Sequence, residues 1–341
     1  MEEKMIRVGF IGAGGMGTTH LESLKVLARE FPLEVTAIAD KLSDRRENAS
    51  RIWPGAKIYS DGDELLTGGN YDLIYIATPS FLHTHFAIAA MRKKCDVFCE
   101  KPVCLTEEEC EDLEKTAAEC NVRFMVGQVV RSTPEYIYLK NLINEKPYGN
   151  LRDIVMQRIS GNVKWGWEDW FHDARRSGTV VLDLSIHDLD YLRYALGEPD
   201  TVSPIHVARF ESGMINHIIS HLTFSGIPAT CEAVWHISGK EQFRAQFRAD
   251  FDHATVDFNS GAKPSITIYT DDGQILTPEI PSDDRVIDNG MNINSLGAYY
   301  LEDKYFIKSL IENIPNTLAP LEEGIESVRL GIRILKQAEK L

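Results

Sequence analysis

Three groups of residues in this 341-residue chain are of kinds that do chemistry. Lys101 stands in Glu100-Lys101-Pro102, an amine at the end of an apolar run. Asp183 and His187 stand four apart in the run from Thr179 to Leu196, TVVLDLSIHDLDYLRYAL, so that on a helix their side chains meet. A carboxylate beside an imidazole fixes its tautomer and stabilises its protonated form. Gly12, Gly14 and Gly17 fall in G-x-G-x-x-G spacing within Ile6 to Gly17, IRVGFIGAGGMG. In a dinucleotide turn the first glycine permits the bend, the second lets backbone approach a pyrophosphate, and the third lets the helix pack on its strand. An amine, an imidazole and a dinucleotide turn together point to hydride transfer at carbon. Such a reaction needs a group that takes or gives the proton of the adjoining hydroxyl.

The surrounding sequence supplies the elements that position these groups. A helix from Met16 to about Phe31 follows the glycines, and Leu33 to Ala39 is a β-branched strand ending in Asp40. That is close to the ~20-residue spacing of the carboxylate that holds the adenosine ribose, which favours NAD over NADP. Asp40 also fits a helix cap or a turn, and Lys41 and Arg45 beyond it soften the preference against NADP. Tyr71 to Pro79 reads as a strand buried on both faces, followed by a helix from Thr84 to Lys94, a strand from Asp96 to Cys99, and a helix opened by Thr106-Glu107-Glu108-Glu109 as a capping box. The strand Arg123 to Gly127 closes the domain. Strand-helix alternation at this pace predicts an α/β fold with a doubly wound parallel sheet, whose strands carry ligands at their carboxyl ends. Lys101 is at such an end.

After a connecting helix from Thr133-Pro134 to Asn144 the alternation gives way to strand after strand. Asp153 to Ser160, Ser203 to Phe210, Ile215 to Phe224, Ala229 to Ile237 and Glu241 to Ala249 are expected strands, with Thr255 to Phe258 and Ser265 to Tyr269 weaker ones. The reading is therefore a Rossmann domain over 1–127 and an α+β domain with a large, mostly antiparallel sheet over 128–341. Helices are expected at Thr179 to Leu196, closed by Gly197, and at Asn294 to Asn313 and Leu321 to Leu341, the last ones packing back on the first domain. Asp183, His187, Asp190 and Tyr194 project on one face at ~100° per residue, with Asp190 a second possible partner for His187.

A net charge of −15 speaks against nucleic acid or an anionic membrane as a partner. Met1-Glu2-Glu3-Lys4 leads into the first strand without the apolar stretch of a secretory signal, and no segment has the length of a membrane span. The six cysteines include no C-x-x-C pair, which fits reduced thiols in the cytoplasm. His83 and His85 cannot face each other on a helix, so no metal site is expected there.

On the glycine turn, Ala77-Thr78-Pro79 with His83, Glu100-Lys101-Pro102, Asp183-x-x-x-His187 and the late Glu322-Glu323-Gly324 helix, the chain resembles the glucose-fructose oxidoreductase/inositol dehydrogenase (Gfo/Idh/MocA) family over nearly its whole length. The resemblance implies Lys101, Asp183 and His187 as the catalytic trio. It implies a dinucleotide, NAD or NADP, along Gly12, Gly14, Gly15, Met16, Gly17, Asp40, Thr78, Pro79, His83, Glu100, Lys101 and Gln128. It also implies a carbohydrate-like substrate, a sugar, polyol or inositol, and a homodimer or homotetramer formed through the second sheet. The sequence departs from the family in having Gly178 alone, in Ser177-Gly178-Thr179, where a run of glycines is usual, and Gln128 where asparagine is frequent.

An imidazole titrates near ~6.5 in water and suits the role of base; a lysine, near ~10.4, donates a proton unless burial lowers it. The division of labour between His187 and Lys101 stays open on these grounds. Trp167 and Trp170, in Trp165 to His172, either stack on the substrate ring or plug the protein. Arg158, Arg175 and Arg176 either meet a charged substrate or are salt-bridged. Two other activities share the motifs: a non-catalytic dinucleotide-binding regulator, and an enzyme that recycles its bound NAD during glycoside cleavage or epimerisation.

Overall fold

The computed structural model describes residues 5–281 and 296–341. The expectations placed on Met1 to Lys4 and on the start of the helix at Asn294 lie outside the described residues. The chain divides into two units, the first comprising the described residues up to 129 and from 296 to 325, the second those from 130 to 281 and from 326 onward.

In the first unit β1 (Ile6–Ile11), α1 (Gly15–Leu27), β2 (Leu33–Ala39), α2 (Ser43–Ile52), β3 (Lys57–Tyr59), α3 (Gly62–Gly68), β4 (Leu73–Ile76), α4 (His83–Arg92), β5 (Asp96–Glu100), α5 (Glu107–Cys120) and β6 (Phe124–Gly127) alternate. The stretch from α2 to α3 carried no clear periodicity and was not expected as strand and helix. All six strands pair in parallel, in the order β3-β2-β1-β4-β5-β6. Reversal of direction at β1 and β4 creates the crevice where such sheets bind ligands. The capping box on α5 is present in both halves, Thr106 Oγ1 accepting the Glu109 N–H and Glu109 Oε2 accepting the Thr106 N–H, each at 3.2 Å. Burial on both faces explains the apolar strands: Val8, Phe10, Leu73, Tyr75 and Phe98 are fully enclosed. The late helix Gly297–Ile311 lays Phe306, Ile307 and Leu310 into the same core as Leu21 and Leu24 of α1.

The second unit holds α6 (Pro134–Glu145), β7 (Leu151–Gly161), α7 (Ala174–Ser177), α8 (Ile186–Leu196), and then β8 (Thr201–Arg209), β9 (Ile215–Phe224), β10 (Ile227–His236), β11 (Arg244–Phe251), β12 (Ala254–Asn259), β13 (Ile266–Thr270) and β14 (Ile275–Leu276). The eight strands run β14-β13-β12-β11-β7-β10-β9-β8, antiparallel throughout except for β7 beside β10. Alternate residues of β7 are buried, and that face is covered by α6 and α8 through a cluster of rings. Tyr136 meets Tyr191, Phe247 and Phe258 edge-on at 4.9, 5.4 and 5.5 Å between centroids. We number the two late helices α9 (Gly297–Ile311) and α10 (Leu321–Ala338).

Candidate active site

The dinucleotide half is built at the carboxyl ends of β1, β4, β5 and β6. Gly12 adopts φ +95°, and a Cβ there would stand 2.6 Å from the Ala77 carbonyl. A Cβ on Gly17 would stand 1.9 Å from the Gly12 oxygen, so only glycine lets α1 start this close to its strand. The amino end of α1 has no side-chain cap and no acidic residue in its first turn, which leaves its N–H groups and positive dipole end to an anion. Thr78 Oγ1 and Gln128 Nε2 are buried polar atoms with no hydrogen-bond partner among the described residues, at the exits of β4 and β6. A polar ligand lying along this edge would satisfy both. On these grounds the residues fit a dinucleotide.

Asp40 is placed differently from the expectation of a carboxylate held out for ribose. Its Oδ2 accepts the Ala13 N–H at 2.7 Å and its Oδ1 accepts the Leu42 N–H at 2.8 Å, so the carboxylate braces the glycine turn from beneath. His83 is buried with Nδ1 2.7 Å from the Pro102 carbonyl and Nε2 2.8 Å from the Thr78 carbonyl. Burial pushes its pKa down, and a neutral ring donates to one of those carbonyls at a time. His83 thus lies between the Thr78 loop and the Lys101-Pro102 loop. Lys101 is half-buried, its peptide to Pro102 is cis, and its N–H donates to Glu100 Oε2 at 3.0 Å.

Sequence reasoning passed over what lies behind Glu100. Glu100 Oε1 is 2.9 Å from Nε2 of His20, and Nδ1 of His20 is 2.9 Å from Asp303 Oδ1 on α9. His20 follows the glycine turn by three residues, on the face of α1 turned to the sheet, and that position was the available signal. Asp303 gave none, since its helix is remote in sequence.

In the second unit the helix predicted from Thr179 includes a π-helical turn, Val181–Ser185, leading into α8. Such turns are rare and concentrate at functional sites. Thr179 holds φ +64°, a conformation costly for a β-branched residue, directly after Gly178 at φ +69°. The glycine run usual in the family is therefore replaced here by a threonine kept in a glycine-like conformation, its Oγ1 accepting the Val181 N–H at 3.3 Å. From Ser177 to Arg193 every residue is buried except Asp183 and His187, which are half-buried.

Asp188 and Asp190 are accounted for within the protein. Arg158 forms a two-pronged pair with Asp188, 2.7 and 3.3 Å, and donates to the Tyr136 hydroxyl at 3.2 Å. Burial pushes the Asp188 carboxyl up against the pull of Arg158. That pairing is the salt-bridged alternative for Arg158, on the packed side of α8. Asp190 bonds Arg131 at 2.7 and 2.8 Å and accepts the Ser327 hydroxyl at 2.8 Å, so the alternative of Asp190 as partner of His187 is corrected. Trp170 is buried in a stack on Phe171 at 3.8 Å, with Phe171 edge-on to Trp235. Trp167 is half-buried under the Arg176 guanidinium, and Trp165 is exposed. The aromatic segment therefore has a packed half and an accessible half. No cluster of three metal-binding side chains occurs among the described residues, and no described helix is long and apolar enough to cross a membrane.

A parallel sheet with this glycine turn, joined in one chain to a sheet carrying an acid-histidine helix, defines a two-domain dinucleotide-binding oxidoreductase. Residues 6–128 match the oxidoreductase family with an NAD-binding Rossmann fold, and residues 136–275 match the GFO/IDH/MocA C-terminal domain. The chain belongs to the GFO/IDH/MocA family. It is 27% identical to the inositol 2-dehydrogenase of Pseudarthrobacter chlorophenolicus over 76% of this chain and 75% of that one. It is 30% identical to the 2,7-anhydro-N-acetylneuraminate hydratase of Escherichia coli K12 over 59% of this chain and 52% of that one. The chain spans from about half to three quarters of the length of the curated relatives it matches. Among solved structures, a levoglucosan dehydrogenase in complex with NADH and levoglucosan superposes with a TM-score of 0.83 over 99% of this chain and 98% of that one. At 20% identity that likeness is one of fold.

Proposed function

We propose that this chain is an NAD-dependent dehydrogenase acting on a secondary alcohol or ketone carbon of a sugar, polyol or inositol-like ring. The observation that carries the reading is that Asp183 and His187 alone are half-buried in an otherwise buried run of seventeen residues, Ser177 to Arg193. Burying polar side chains is costly, and two reactive ones kept half-buried beside a strained segment and a π-helical turn are a feature of active sites. Bound nicotinamide supplies the hydride acceptor or donor. His187 takes the proton of the substrate hydroxyl and returns it in the reverse direction, Asp183 orients His187, and Lys101 donates to the same oxygen. Trp167 covers a C–H face of the ring. The names of the relatives support a carbohydrate substrate. Asp40, at the end of β2, supports NAD; a homodimer or homotetramer through the large sheet and a cytoplasmic setting for the six buried free cysteines complete the reading.

The test is a panel of inositols, polyols, aldoses and sugar acids with NAD and with NADP, read as absorbance of the reduced cofactor. Turnover with none of them, alongside tight NADH binding, would refute the dehydrogenase. A second reading is favoured by the 30% identity to a hydratase: a lyase or epimerase that recycles tightly bound NAD. Product formation without net NADH distinguishes it.

A further inference from the structure

Among the described residues of the first unit, Arg45 is a cation without a partner. It stands in the first turn of α2, just beyond the end of β2. A Cβ on Gly14 would lie 3.0 Å from Arg45 Nη1 and 3.5 Å from its Cζ, so the guanidinium covers the face of Gly14 that a side chain would otherwise fill. Its neighbours are engaged elsewhere. Arg46 Nη1 donates to the carbonyls of Asp40 and Lys41 at 2.9 Å each, Arg51 pairs with Glu47, and the Asp40 carboxylate accepts the N–H groups of Ala13 and Leu42. No described residue accepts a hydrogen bond from Arg45 or forms an ion pair with it, although the residue is half-buried. Beside it lies the amino end of α1, with no side-chain cap and no acidic residue in its first turn. An unpaired guanidinium and the positive end of a helix, set together over one glycine, call for an anion between them.

We propose that Arg45 is a cofactor-binding residue that holds the pyrophosphate of the dinucleotide over Gly14, adding a cation to the N–H groups of α1. The position on Gly14 selects the pyrophosphate from the phosphates a dinucleotide can carry. In this kind of turn the second glycine is the one whose missing Cβ lets the backbone approach the pyrophosphate. A guanidinium suits that place, since its planar fork of N–H donors matches two phosphate oxygens at once. A cation there serves the phosphates that NAD and NADP share, so it strengthens both alike and leaves their discrimination to Asp40. The inference rests on the dinucleotide reading of this turn and is independent of the substrate and of the reaction.

The experiment reads binding rather than turnover. NADH and NADPH are titrated by fluorescence into the intact protein and into Arg45→Gln, and ADP is titrated by its displacement of NADH. All three ligands bind roughly tenfold more weakly to Arg45→Gln, and Arg45→Lys, which keeps the charge without the fork, recovers part of the loss. At about 0.5 M salt the difference between parent and Arg45→Gln shrinks to about threefold or less, because the lost contact is ionic and only half-buried. Arg51→Gln removes one positive charge from the far end of α2 and leaves every affinity within about twofold. Arg45 bonds no described group of the protein, so both of its variants fold, and melting without ligand verifies it. Affinities of Arg45→Gln within about twofold of the parent overturn the proposal. So does a loss confined to NADPH, which places Arg45 at the 2′-phosphate, or a loss undiminished by salt, which marks stacking on the adenine, or an equal loss in Arg51→Gln, which marks a general effect of charge. A parent chain that binds none of the three ligands removes the dinucleotide reading and the inference together; a parent that binds them and an Arg45→Gln that binds them equally well removes the inference alone.

Discussion

Removal of the Asp40 carboxylate tests whether that residue serves the fold, the cofactor or both. Its two oxygens accept the N–H groups of Ala13 and Leu42, and Ala13 is 2% exposed. In Asp40→Ala the Ala13 N–H is stranded in a dry environment, which costs about 1–3 kcal/mol, and the partly buried Leu42 N–H turns to water at a cost of about 0.5–1 kcal/mol. The sum is about 1.5–4 kcal/mol in the absence of any nucleotide. Asp40→Asn keeps one acceptor oxygen and loses about half as much. The assay is chemical unfolding of the nucleotide-free protein, joined to hydrogen exchange of the peptides spanning 10–16 and 40–46, where the two amides lose protection. NADH affinity falls as well, because the turn that presents the α1 N–H groups is loosened, and the discrimination against NADPH narrows. A nucleotide-free Asp40→Ala protein within 0.5 kcal/mol of the parent would refute the brace; weaker NADH binding in that same protein would return Asp40 to a role at the ribose alone.

Four shorter predictions accompany it. Lys101→Ala abolishes turnover on whichever ring compound the panel yields and leaves NADH affinity within about threefold of the parent, as titration will show. Arg158→Met leaves the buried Asp188 without its partner and destabilises the protein by about 3–5 kcal/mol, while Arg158→Met with Asp188→Leu recovers most of that in urea unfolding. Thr179→Gly relieves a left-handed conformation that costs a side-chain-bearing residue about 1–2 kcal/mol, but gives up a hydroxyl bond and backbone stiffness; a net change under about 1 kcal/mol is expected in the melt. His20 has a folded-state pKa raised above its unfolded value, so its contribution to stability is fully present below about pH 6.5 and is lost as pH rises through the raised value. Unfolding midpoints of the parent fall on the alkaline side relative to those of His20→Gln, and parallel curves would count against a charged His20.

Much of the first domain was legible because each signal is local and agrees with the next. The glycine spacing, the doubly apolar strands and the Thr106 to Glu109 capping box each specify a few residues of backbone. The stretch from α2 to α3 was illegible for the opposite reason: β3 is three residues long on a sheet edge, half-exposed, and has no periodicity to read. The Thr179 to Leu196 segment was found as a helix from its apolar stripe, and the π turn at its start was not, since a single turn closed by i to i+5 bonds leaves no compositional trace.

That turn also explains which side-chain assignments went astray. Projection at ~100° per residue presumes one continuous α-helix and put Asp183, His187, Asp190 and Tyr194 on one face. With a wider turn through Val181–Ser185 the phase ahead of α8 shifts, so Asp183 no longer predicts the direction of Asp190. Asp190 points inward to Arg131 and Ser327, and Asp188 to Arg158, while Asp183 and His187 are half-buried. Three arginine-carboxylate or serine-carboxylate contacts thus consume the polar residues that a face projection would offer to substrate. The two that remain, Asp183 and His187, are half-buried. In such a helix, the residues left half-buried when all their neighbours are buried are the ones to substitute first, because i, i+4 spacing is shared by structural ion pairs.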